Sequence, residues 1–112
     1  THTPFNSEKY GVSIRDKEGR HVYSYGAKAL SKFGFSEETF QVKTTSEALC
    51  EEYSDVDAKA LETVNTMQPT VSHKTYKTNK YSSKVTQYFF PNFNENNKVT
   101  GTISFAVISE IK

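Results

Sequence analysis

Cys50, the histidines His2, His21 and His73, and a run of carboxylates are the residues of this chain whose types could do chemistry. Nucleophilic catalysis needs a Ser or Cys beside an oriented His, and no such motif is legible. Cys50 stands in "SEALCEEYS", flanked by acids, not by the electropositive surroundings of a reactive thiolate. Glu51, Glu52, Asp55 and Asp57 cluster in sequence, but without metal-ligand spacing to the histidines. They read as acids placed at the positive end of a helix. "GAKALSKFG" has two glycines at the wrong spacing for a phosphate loop. The basic stretch "HKTYKTNKYSSK" interleaves Lys74, Lys77, Lys80 and Lys84 with Tyr76 and Tyr81. Such a strand can stack and track single-stranded nucleic acid. It can equally be a sheet edge whose lysines discourage edge-to-edge pairing. A net charge of +1 favours the second reading, because a nucleic-acid binder carries a basic face.

What remains is a question of which elements position these groups. The 112 residues suit one domain. The first residue is Thr and the last stretch is "ISEIK", so the chain reads as a fragment cut from a longer protein. Eight Phe and seven Tyr supply the area for a compact core, and the low net charge leaves little self-repulsion against closing it. A lone Cys makes no intrachain disulfide and fits a reducing, cytoplasmic setting. No apolar run approaches the length of a membrane span.

Tyr10, Val12 and Ile14 alternate with polar residues, "DKEG" supplies a turn, and "HVYSY" resumes the alternation: a hairpin. Gly26 breaks the pattern. Ala27, Ala29, Leu30 and Phe33 then fall at helical spacing, and Gly34 supplies a stop. Ser36 caps a further short turn, and another follows Thr45 or Ser46. The strongest helix spans residues 54–67, capped by Ser54, with a stripe of Val56, Ala60, Val64 and Met67 widened by Leu61 and an end enforced by Pro69. Three strands follow, "TVSHKTYK", "SKVTQYFFPNF" and "KVTGTISFAVI". Strands segregate from helices, which predicts an α+β fold with an antiparallel sheet.

The order of these pieces resembles a PAS domain. Asp16, Gly19, Arg20, Val22 and Tyr23 match that family's first hairpin. Ala29, Leu30, Phe33, Gly34 and Phe35 match the helix that follows it, residues 57–69 the longer helix, and Gly101 the final strand. The resemblance covers nearly all of residues 8–109 and is nearest in flavour to sensory PAS domains of bacterial helix-turn-helix transcription regulators. The chain departs from the pattern where Tyr25 or Gly26 replaces an Asn and where Ile108 stands for an Asp.

The resemblance implies a PAS-like five-stranded antiparallel sheet, with short helices and one longer helix covering one face. Residues 1–9 are then an N-terminal flank, 10–109 the sensory domain and 110–112 the start of a linker to an effector. It further implies that Phe33, Phe35, Phe40, Tyr53, Tyr88, Phe90 and Phe105 point at or rim the interior, with Met67 and His73 as further cavity residues. Core packing alone and an aromatic cavity for a small organic ligand both remain open, with Ser24, His73, Thr75, Tyr88 or Ser104 as orienting polar groups. Flavin photochemistry lacks its motif around Cys50, and haem lacks a His on the longer helix, so no cofactor is expected. The function implied is a regulatory module, not an enzyme, that homodimerises through the segment before Tyr10 and a face around Tyr76, Tyr81 and Phe93. The alternatives are a small α+β enzyme, which needs an acid–base pair inside the cavity, and the single-strand binder.

Overall fold

The computed structural model describes residues 6–112; residues 1–5 of the expected flank lie outside the described residues. The hairpin forms as its turn chemistry requires. Strands β1 (Tyr10–Asp16) and β2 (His21–Gly26) are joined by a loop in which the Asp16 carboxylate accepts from the backbone N–H groups of Glu18 and Arg20. Gly26 and Ala27 both take positive φ and turn the chain away from β2 into a 3-10 turn, Lys28–Phe33. Gly34, at φ 89°, ends that turn and returns its N–H to the carbonyl of Ser31. Two one-turn helices follow, α1 (Glu37–Phe40), capped by the Ser36 hydroxyl, and α2 (Thr45–Ala48), closed by a reciprocal pair between Thr44 and Glu47. A 3-10 turn at Glu51–Tyr53 leads directly into α3 (Ser54–Thr66), so Tyr53, and not Ser54, occupies the cap position.

Strands β3 (Thr70–Lys77), β4 (Ser82–Phe93) and β5 (Val99–Ile108) complete one antiparallel sheet in the order β2-β1-β5-β4-β3. The C-terminal strand thus lies at the centre and joins the hairpin to the other two strands. Gly101 makes that junction feasible: a Cβ there would sit 1.8 Å from the Arg15 carbonyl oxygen. Beyond β5, Lys112 exchanges backbone hydrogen bonds with Ser82, so the expected linker residues run on beside β4.

All the helices cover one face of the sheet. Against them pack Leu30, Phe33, Phe35, Tyr53, Tyr76, Val85 and Ile108, with Val56, Ala60 and Phe89 as a second cluster. The rings of Phe35 and Tyr76 stack at 5.0 Å, and Tyr53 meets Tyr76 edge-on at 4.8 Å. On α3 the buried stripe is Val56, Asp57, Ala60 and Thr63. Met67, expected on it, adopts a left-handed conformation just past the helix and is 53 % exposed; Leu61 also faces solvent.

Strand parity is the main departure from the sequence reading. Ser13 pairs with Ser104, while Val12 faces Phe105 and Tyr10 faces Val107. The side facing the helices therefore carries Ser13, Arg15, Ser72, Ser83, Gln87, Thr102 and Ser104, all buried. The apolar side, with Tyr10, Val71, Tyr88, Phe90, Phe105 and Val107, faces outward. No helix among the described residues is long and apolar enough to cross a membrane.

Candidate functional site

A polar inner face is stable only where its groups find partners, and the pairing begins at Arg15. Its side chain is 1 % exposed. Nη1 donates to Asp57 Oδ1 at 2.8 Å and to the Gly19 carbonyl at 3.3 Å, and Nη2 donates to the Thr45 hydroxyl at 2.9 Å. Asp57 also accepts the backbone N–H groups of Thr45 and Ser46, each at 2.8 Å. One carboxylate on α3 therefore caps α2 and neutralises the cation on β1. Burial pushes the Asp57 carboxyl up, but the donors at Ser46 and Thr45 and the Arg15 charge outweigh it and hold it below its ordinary value. Arg15 Nε remains without a partner.

A second polar group sits further along the sheet. Gln87 Nε2 donates to Ser104 Oγ at 3.0 Å, and Ser104 Oγ lies 2.6 Å from Ser13 Oγ. The third is His21. Its Nδ1 is 2.6 Å from the Lys43 carbonyl, which can only accept, so Nδ1 carries the proton. Burial, with the nearby Arg15 charge, pushes the imidazole down to about 3, and the ring is neutral at physiological pH. Nε2 is therefore an acceptor. Phe40 covers the ring at 4.5 Å.

Arg15, Gln87, Ser13 and His21 border a cavity of about 610 Å³ between the inner face of β1, β2 and β4 and the short helices. Ser13, Arg15, His21, Gln87 and Tyr76 give it polar lining, and Leu30, Phe35, Phe40 and Val85 apolar lining; Ser24 and Thr45 also border it. Its volume is that of a small-molecule site. Glu8, Lys28 and Glu38 also line it, and all three are exposed to solvent.

The structure sorts the sequence-derived site residues into two groups. Phe35 and Phe40 line the cavity, and Phe33 and Tyr53 lie in the core behind it. Met67, His73, Tyr88, Phe90 and Phe105 do not line it. Met67 lies past the end of α3, and the other four are exposed on the outer face of the sheet because their strands have the opposite parity from the one expected. Among the suggested orienting groups, Ser24 and Ser104 are on the inner side, whereas Thr75 and Tyr88 are exposed. Sequence reasoning missed Ser13, Arg15, His21 and Gln87. The signal that could have found them is the alternation itself: Ser13 and Arg15 share one side of β1, as Val85, Gln87 and Phe89 share one side of β4.

The expected dimer face is also corrected. Tyr76 is 3 % exposed and belongs to the core. Tyr81 is half-buried beneath Lys32, whose Nζ lies 4.7 Å from its ring centre. Phe93 alone of the three is exposed. The same facts remove the stacking platform that a single-strand binder needs, since Lys74 is also drawn onto Asp55 and the Tyr53 ring. The enzyme alternative required an acid–base pair in the cavity. His21 lines it together with Glu8 and Glu38, both exposed, while Asp57 is committed to Arg15 and two backbone donors. No group of three or more His, Cys, Asp or Glu among the described residues is placed to hold a metal ion.

No family model and no curated protein matches the sequence. Solved structures do match the fold. The PAS domain of the histidine kinase ThkA superposes with a TM-score of 0.63 at 16 % identity, over 91 % of this chain and 99 % of that one. The PAS domain from Bordetella pertussis BvgS gives 0.65 at 19 % identity, over 94 % of this chain and 80 % of that one. A Vibrio cholerae VqmA–ligand–DNA complex gives 0.71 at 15 % identity, over 89 % of this chain but 45 % of that one. The chain thus spans about half the length of VqmA, and its fold is that of a PAS domain.

Proposed function

From the PAS fold and its partly polar hollow, we propose that the chain is the sensory module of a signalling or transcription-regulatory protein and is not itself an enzyme. The observation that carries this reading is the 610 Å³ cavity, whose lining pairs aromatic rings with polar groups on the sheet. The matched proteins support it in kind, since one is the PAS domain of a histidine kinase and another, VqmA, is solved as a ligand–DNA complex and, without target DNA, as a dimer. In this proposal residues 10–109 form the sensing unit and residues 110–112 lead toward an effector, which can be a helix-turn-helix. The compartment is the cytoplasm. No resident haem or flavin is assigned, because α3 carries no His and Cys50 is exposed. The outer sheet face of Phe90, Phe105 and Val107 is the surface we assign to a second copy or to the effector.

A ligand controls such a module only by binding its two states unequally; tenfold discrimination supplies about 1.4 kcal/mol. The test is native mass spectrometry of the gently purified chain, with thermal shifts against a library of small polar aromatics. The proposal expects a retained or added molecule of low mass whose binding is lost in Ser24→Leu, which fills the cavity. A bare chain whose melting temperature moves with no compound contradicts it.

A further inference from the structure

The polar groups of the cavity differ in what they offer a ligand, and the difference specifies its chemistry. His21 lends Nδ1–H to the Lys43 carbonyl, so toward any ligand its Nε2 can only accept. Arg15 borders the same cavity but offers a ligand no donor: Nη1 and Nη2 are taken by Asp57, Gly19 and Thr45, and Nε is sealed off by its surroundings. The Gln87–Ser104–Ser13 chain supplies one. The Ser13–Ser104 hydrogen bond can run in either direction; when Ser104, which accepts from Gln87, donates to Ser13, the Ser13 hydroxyl proton is free for a ligand acceptor.

Charge is the second discriminant. Arg15 is already neutralised by Asp57 at 2.8 Å. The remaining charged lining residues, Glu8, Lys28 and Glu38, are exposed. An ion held against the sheet wall would lose its hydration and meet only an Arg15 already matched by Asp57. A hydrocarbon ligand would leave the Ser13 donor and the His21 acceptor unmatched.

We infer that the cavity takes a small uncharged ring compound that donates one hydrogen bond to His21 Nε2 and accepts one from the Ser13 hydroxyl. The inference rests on the sensory reading above and narrows it to a ligand class. The ring lies among Phe35, Phe40 and Leu30, which border the same space.

Three probes of nearly equal shape separate the possibilities. Benzamide carries the ring, an acceptor and a donor without charge; benzoate carries the charge; toluene carries neither polar group. In an amide-resolved NMR titration of the chain at pH 7.5, benzamide saturates resonances of cavity residues with a dissociation constant of about 1 mM, ordinary for so small a ligand. Benzoate and toluene bind at least about tenfold more weakly, the cost of an unmatched charge or of unmatched polar groups. His21→Asn keeps a donor for Lys43 but loses the acceptor, and weakens benzamide by about tenfold. Ser13→Ala, which keeps the strand intact, weakens it in the same direction. Cavity binding by benzoate or toluene that equals or exceeds benzamide overturns the ligand class and leaves the sensory module standing. Benzamide shifts confined to the outer face around Phe105 overturn the ligand class as well. If none of the three moves any resonance, ligand sensing by this cavity fails and the inference falls with it.

Discussion

Acidification should destabilise this domain through a single ring. In the unfolded chain His21 has its ordinary pKa of 6.5; in the folded chain burial, seconded by the Arg15 charge, brings it to about 3. Between those values the unfolded state binds a proton that the folded state refuses, so stability is complete above the upper value and falls as the pH drops toward the lower one. At pH 5 the unfolded ring is about 97 % protonated and the folded ring about 1 %, a loss of roughly 2 kcal/mol relative to pH 7.5. The depressed carboxylates Asp57 and Glu47 have their windows lower, below their unfolded values of 3.8 and 4.5, and do not contribute over this interval. Urea titrations followed by circular dichroism at pH 7.5 and pH 5 measure the effect. With an m-value of about 1–2 kcal/mol per molar, the midpoint falls by about 1–2 M. His21→Asn retains a donor for the Lys43 carbonyl and cannot titrate, so its midpoint should be nearly level across the same interval. A wild-type midpoint unchanged between the two pH values, or an equal drop in His21→Asn, would refute the burial and tautomer assigned to this ring.

Asp57→Ala leaves the Arg15 guanidinium buried without its counter-charge and strips the cap from α2; urea denaturation should show a loss of about 3–5 kcal/mol. Gly101→Ala forces a side chain against the Arg15 carbonyl and should cost about 3 kcal/mol or more, visible as a collapse of the melting transition. The double variant Phe90→Ser, Phe105→Ser changes only exposed positions; stability should move by less than about 1 kcal/mol, while light scattering shows any dimer of the parent chain reduced to monomer.

The fold was legible because its punctuation is local. Asp16 at the start of the turn, the glycines at 26 and 34, and Pro69 after α3 each mark a boundary whose chemistry acts within a few residues. Five strands in one antiparallel sheet followed from that punctuation together with the PAS resemblance; the order that puts β5 at the centre did not. The site was only partly legible, because which side of a strand faces inward is a tertiary fact. On β4, Val85, Gln87 and Phe89 oppose Thr86, Tyr88 and Phe90, and both sets carry aromatic residues. A rule that the more apolar side turns inward picks the wrong one here. The inner side is the one whose polar members pair with one another, Ser13 and Gln87 with Ser104, and Arg15 with an acid on α3, though the Thr102 hydroxyl stays unpaired. The aromatic residues placed correctly in the interior, Phe33, Phe35 and Tyr53, lie on helical turns and their exits, where burial does not depend on strand parity.

The most direct test of a hollow that reads uncharged polar ligands is the nitrogen spectrum of the His21 imidazole at pH 6, recorded with and without saturating benzamide. A neutral ring protonated on Nδ1, whose Nε2 resonance moves when benzamide is added, is the outcome that follows from the Lys43 contact and the position of the ring at the cavity wall. A charged imidazolium at that pH, or an Nε2 resonance indifferent to benzamide, contradicts it.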